Sequence, residues 1–145
     1  MIRMVVATDG SPHALRAAAL AARLTRELRE AEVILVNVGH IPMIALGGPG
    51  PETFVDLGAL EEGLERAGQE ILDQAMQPFA GTGISVTRTY RTGEPAPEII
   101  KAAHEARAHL VIVGSRGLGQ IGGLILGSVS ERVLHGAHDP VLVVR

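Results

Sequence analysis

At 145 residues, of which 46% are hydrophobic, the chain matches one ordinary domain, taken as residues 1–145, with enough apolar mass for a sizeable core. Its net charge of −3 and its scattered Lys and Arg give no basic stripe, which argues against nucleic acid or an anionic membrane as the partner and favours a small one. The lack of cysteine excludes disulfides, thiolate metal sites and cysteine nucleophiles, and with neither a secretory leader nor a bilayer-length apolar run the expected setting is cytoplasmic.

Residues 4–8 (MVVAT) open the chain as a short β-branched run, apolar nearly throughout, as a strand covered on both faces should be. A helical stripe of Ala17, Leu20, Ala21, Leu24 and Leu28 follows, then a second buried strand at 33–38 (VILVNV). Leu57, Leu60, Leu64, Ile71 and Ala75 mark a second helix. Residues 84–90 (ISVTRTY) alternate instead, which suits an edge strand with one wet face. A third helix runs from about Pro95 to Arg107, and the run 110–113 (LVIV) is the fourth strand. The last helix spans Val129 to about His135, and 141–144 (VLVV) is the fifth strand. Strict strand–helix alternation with buried strands predicts right-handed crossovers, and so an α/β fold: an open, doubly wound, five-stranded parallel sheet with helices on both faces. In such sheets ligands lie beyond the carboxyl ends of the strands, where the winding reverses.

Three loops carry the chemistry. The first, 8-TDGSP-12, places Asp9 two residues before Ser11 and Pro12. Asp9 has two readings, an Asx turn or helix cap, or a ligand to a ribose hydroxyl or a phosphate-bound cation. Ser11 is the better cap, with Pro12 at the first helical position, which turns Asp9 toward a ligand. The second loop, residues 39–55, is long, rich in Gly and Pro, and reads as a mobile flap. The third, GSRGLGQIGGLILGSVSE from Gly114 to Glu131, holds six glycines. Gly114, Gly117 and Gly119 let bare backbone approach a ligand, while Gly127 precedes a helix whose first N–H groups lack internal partners, a geometry that attracts phosphate. Ser128 and Ser130 add hydroxyls and Arg116 a mobile positive charge. Taken alone the same loop equally reads as a chain reversal, with Ser128 and Glu131 as a capping box.

The chain has one lysine, Lys101, and three aromatic residues, Phe54, Phe79 and Tyr90. An anion site must therefore use arginine or backbone amides, and a flat ligand needs aliphatic walls. Neither the dinucleotide G-x-G-x-x-G in its usual first turn nor the P-loop G-x-x-x-x-G-K-[ST] occurs. His13, His40, His104, His109, His135 and His138 are spread without ligand-like spacing, and the close pair His135 and His138 suits a helix end.

Gly114, two residues, Gly117, nine residues, Gly127 and Ser128, inside GSRGLG…GSVSERVL…PVLVV, resemble the nucleotide-binding signature of universal stress proteins of the ATP-binding branch. The opening VVATDGS, the Gly-Glu-Pro before the third helix and the terminal VLVV extend the resemblance over the whole chain. It implies an adenine nucleotide alpha hydrolase-like, Rossmann-like sheet with strand order 3-2-1-4-5. It implies an adenine site walled by Ala7, Thr8 and Val38 and closed by Val113 and Gly114, with Asp9 near the ribose and phosphates. Arg116 and Gly117 would line the phosphate loop, and Gly127, Ser128, Val129 and Ser130 would bind phosphate at the helix start. The implied cofactor is ATP, AMP or ADP, with magnesium carried by the nucleotide and reaching Asp9. GQIGGLILG in mid-loop lacks the basic residues many relatives carry there, which implies weaker phosphate affinity. The apolar VLVVR edge is a liability unless covered, and the resemblance implies a homodimer through it.

Three functions fit these expectations: a nucleotide-responsive module in stress response, a slow ATPase or autophosphorylating enzyme with Ser128 or Ser130 as acceptor, and a nucleotide-free dimeric scaffold. The glycine and serine spacing favours the first two. Nothing resembles a positioned general base near the phosphates, so binding without efficient turnover is expected.

Overall fold

The computed structural model describes residues 1–28, 30–41, 56–117 and 126–145. In chain order it contains β1 (Ile2–Ala7), α1 (Pro12–Glu27), β2 (Ala31–Gly39), α2 (Leu57–Met76), a 3-10 turn (Gln77–Phe79), β3 (Ser85–Thr92), α3 (Pro95–Ala106), β4 (Leu110–Gly114), α4 (Ser128–Gly136) and β5 (Val141–Val144). The strands form one parallel sheet in the order β3-β2-β1-β4-β5. This is the doubly wound α/β topology expected, and it makes β1 and β4 neighbours at the point where the winding reverses.

Side-chain alternation along the strands divides the core into two layers. Met4 and Val6 of β1, Val33 and Leu35 of β2 and Ile112 of β4 face α1 and α2. Val5, Ala7, Val36, Val111 and Val113 point the other way, against α3 and Val133 of α4.

The helix stripes differ from expectation in their centres. In α1 the fully buried residues are Ala14, Ala17, Ala18, Ala21, Ala22 and Thr25, while Leu20 is half-buried and Leu24 and Leu28 pack on the flank. Small side chains at the centre let the helix backbone lie close to the sheet, and the leucines close its border. In α2 the expected stripe begins at Leu57, yet Leu57 is 45% exposed, and the fully buried residues are Gly68, Leu72 and Ala75. The buried face passes through a glycine because Tyr90 fills the space beside it: a Cβ on Gly68 would lie 2.5 Å from the Tyr90 ring.

Edge strand β3 is partly wet, as its alternation predicts, and β5 is the opposite edge with all four residues half-buried. Of the expected flap, residues 42–55 lie outside the described residues, as do 118–125 of the glycine-rich loop, Gly119 among them.

Candidate functional site

The site lies at the carboxyl ends of β1 and β4. On the β1 side the backbone turns at Gly10, whose φ of +79° is left-handed and suits glycine. The Thr8 N–H continues the ladder to Val36 O at 2.9 Å, and Asn37 Nδ2 donates to Thr8 O at 2.8 Å, so β2 fixes the turn from the side. The Ser11 N–H donates to Asp9 Oδ1 at 2.9 Å, and Ser11 Oγ accepts from the Ala14 N–H at 3.3 Å, with Pro12 in the first helical position. Of the two readings of Asp9, the Asx turn is the one the structure shows. One carboxylate oxygen closes an Asx turn and the residue also lines the pocket described below.

The β4 side is built differently. Gly114 lines the pocket, but its missing side chain makes room for the start of α1: a Cβ there would stand 2.7 Å from the Ala14 backbone N and 2.8 Å from the His13 carbonyl carbon. A Cβ on Gly117 would lie 2.6 Å from Asp9 Oδ2. At these two positions glycine serves the close approach of the two loops, in addition to any approach by a ligand.

Ser115 ties the loop together. Its N–H donates to Val144 O at 2.6 Å, and its carbonyl accepts from the Gly127 N–H at 2.6 Å and from Ser130 Oγ at 3.0 Å. Its own Oγ is 2.6 Å from His13 Nδ1. The His13 ring titrates below the ordinary imidazole range, because partial desolvation and then the guanidiniums of Arg16 and Arg116 disfavour its charged form.

The capping box that Ser128 and Glu131 offered as the alternative to an anion site does not form. The N-cap is Gly127, with φ −76° and ψ 161°, and no side chain caps the helix. The reason is that α4 starts one residue earlier than a Ser128 cap allows, with the Glu131 N–H bonded to Gly127 O at 2.9 Å. Ser130 Oγ donates back to Gly127 O at 2.9 Å as well as to Ser115 O, so its proton is committed to the main chain. The N–H groups of Ser128, Val129 and Ser130 precede the first intrahelical bond and therefore have no intrahelical acceptor, at the positive end of the helix dipole.

Between the two loops lies a cavity of about 250 Å³. Ala7, Thr8, Asp9, Val38, Val113, Gly114, Arg116, Gly117, Gly127, Ser128, Val129 and Ser130 all line it, so the structure gathers these twelve candidate residues into one pocket. Ala14, Val36, Asn37, Pro95 and Ile99 line it too and were not anticipated. Asn37 carried a signal, as the one polar residue within VILVNV. Pro95 and Ile99 enter because α3 crosses back over the sheet, which residue spacing does not locate. Its lining joins aliphatic side chains from the strands and α3 to Asp9, Arg116 and the first residues of α4. Among the described residues, no three His, Asp or Glu side chains gather into a metal cluster, and no helix is long and apolar enough to cross a membrane.

The profile of the Universal stress protein family matches residues 1–145. The chain belongs to that family. Among its relatives, universal stress protein YxiE of Bacillus subtilis is 34% identical over 148 residues, covering 99% of this chain and 98% of the relative. Hypothetical protein MJ0577, described in a structure-based assignment of its biochemical function, superposes with a TM-score of 0.85 at 26% identity, over 99% of this chain and 94% of that one. A universal stress protein solved in complex with cAMP superposes with a TM-score of 0.72, also at 26% identity, over 99% of this chain and 97% of that one.

Proposed function

We propose that the chain binds an adenine nucleotide in the β1–β4 pocket and acts as a nucleotide-responsive module in stress response. The observation that carries this reading is the start of α4, a helix N-terminus without a side-chain cap whose first residues line a pocket that aliphatic side chains also line. The relative in complex with cAMP supports an adenine nucleotide as the ligand class.

In this reading Val38, Val113 and Ala7 hold the adenine, and Ile99 adds a wall from α3. Asp9 takes the ribose, and the amides of Ser128, Val129 and Ser130 with Arg116 take the phosphates. ATP is the proposed physiological ligand. Among the described residues lining the pocket Asp9 is the one carboxylate, so a magnesium ion bound to the phosphates would meet its negative charge there. Commitment of the Ser130 hydroxyl to two carbonyls counts against autophosphorylation at that residue and favours binding over turnover. The response would leave the site through Ser115, which holds both the Gly127 amide and the carbonyl of Val144 on β5. Strand β5 pairs with β4 alone and is half-exposed, which supports a homodimer formed along that edge.

Calorimetric titration with ATP, ADP and AMP, with and without magnesium, tests the reading. The expected result is one saturable site per chain, tightest for ATP, with a Kd on the order of 10 μM, or about −7 kcal/mol. Absence of heat, and of displacement, at millimolar nucleotide would refute it. Sedimentation at micromolar concentration tests the dimer, and a monomer there would rule it out.

A further inference from the structure

We propose that His13, held beside the glycine-rich loop by its hydrogen bond to Ser115, is a specificity residue whose charge makes the pocket's preference for polyphosphate over monophosphate rise with acidification. This rests on the nucleotide-binding reading above and adds a second charge to it.

The geometry places His13 behind the phosphate end. Its Nδ1 is 2.6 Å from Ser115 Oγ, and the carbonyl of Ser115 holds the Gly127 N–H and Ser130 Oγ that frame the start of α4. Its backbone packs against Gly114, where a Cβ would stand 2.8 Å from the His13 carbonyl carbon. A neutral imidazole accepts the Ser115 hydroxyl proton or donates to it, depending on tautomer, whereas imidazolium can only donate, and Ser115 Oγ must then accept. Either state keeps the loop anchored. What changes is the charge beside Arg116.

The charged groups acting on the ring are both cationic. Arg16 lies on the same helix, its Nε bonded to the Arg145 carbonyl, and Arg116 comes from the loop and lines the pocket. The counter-charge in the pocket lining is Asp9, one of whose oxygens closes the Asx turn. Residues 118–125 (LGQIGGLI) carry no charge in their sequence. Protonation of His13 in the empty protein is resisted first by desolvation and then by the charges of Arg16 and Arg116. A bound polyphosphate supplies the missing anion. The sign follows: the complex takes up a proton that the free protein resists, so affinity gains as pH falls through the bound-state titration and levels off below the free-state one. AMP brings fewer charges and gains less.

The test follows the His13 ring by NMR from pH 5 to pH 8 in the free protein, with saturating ATP and with saturating AMP. Affinities of wild type and His13→Gln for both nucleotides are measured alongside. The variant reports the nucleotides' own protonation, so the wild-type-to-variant ratio isolates the histidine. Expected results are an upward displacement of the His13 titration by about one pH unit with ATP and by less with AMP, equivalent to up to about tenfold in affinity. The ratio for ATP should grow about fivefold or more between pH 8 and pH 5. If ATP binds while the His13 titration stays in place, or the ratio stays flat, this inference is overturned and the nucleotide site stands. If no nucleotide binds at any pH, the proposed function falls and takes this inference with it. The NMR arm uses the unmodified protein and is independent of how the variant folds.

Discussion

Two helices begin at the same crevice, and they begin in opposite ways. α1 is sealed by its own side chains: Asp9 takes the Ser11 amide, Ser11 Oγ takes the Ala14 amide, and Pro12 has no amide to satisfy. α4 has Gly127 as its cap and no side chain to occupy its first amides. Each stands after a strand end with a Gly and Ser sequence, so composition alone does not separate them. The lesson is that a helix N-terminus becomes a candidate anion site when its cap residue has nothing to offer.

Supplying a cap is the strongest way to erase the difference. Gly127→Asp fits the observed extended φ and ψ and would place a carboxylate on the α4 amides. It should weaken nucleotide binding by at least about 100-fold, or roughly 2.7 kcal/mol, in calorimetry. Thermal unfolding should show the same variant stabilised by about 0.5–1 kcal/mol, as an N-cap gains its bond. Next in size is Gly114→Ala, which drives a methyl into backbone atoms of α1 at 2.7 and 2.8 Å. Backbone cannot step aside as a side chain can, so denaturant unfolding should show a loss of about 1–3 kcal/mol, with weaker binding as the two loops part.

Breaking the sealed helix start should act mainly on stability. Ser11→Ala should cost about 1 kcal/mol of stability, and because Ser11 Oγ also donates to Arg116 O at 3.2 Å, its smaller effect on nucleotide affinity should come through that loop and stay well below the loss in Gly127→Asp. The smallest effect on stability belongs to Asp9→Asn, whose amide oxygen can keep the Asx turn while the charge goes. Stability should move within about 0.5 kcal/mol. The magnesium dependence of ATP binding should shrink, and AMP binding without magnesium should weaken only by the lost acceptor at the ribose.

The strands and their alternation with helices were legible from local signals, β-branched runs between helical stripes, and glycine and serine spacing marked the loop, while the strand order and most of the anticipated pocket residues came from the resemblance to universal stress proteins. What sequence reasoning misplaced depends on partners far away in the chain. The role of Gly114 is set by the α1 backbone, and the buried face of α2 runs through Gly68 only because Tyr90 arrives from β3. The Ser128 capping box matched in spacing and failed in register, since the helix starts at Ser128 and not after it. The contact between His13 and Ser115 spans 102 positions and has no periodicity to betray it.

The central claim is that the first amides of α4 grip phosphate. A two-dimensional amide NMR titration with ATP reads those groups directly. The account predicts that the Ser128, Val129 and Ser130 amide protons move downfield in a saturable way, with the same midpoint as calorimetric binding, while the capped Ala14 amide stays nearly still. Saturation by ATP with those three amides unmoved would contradict it.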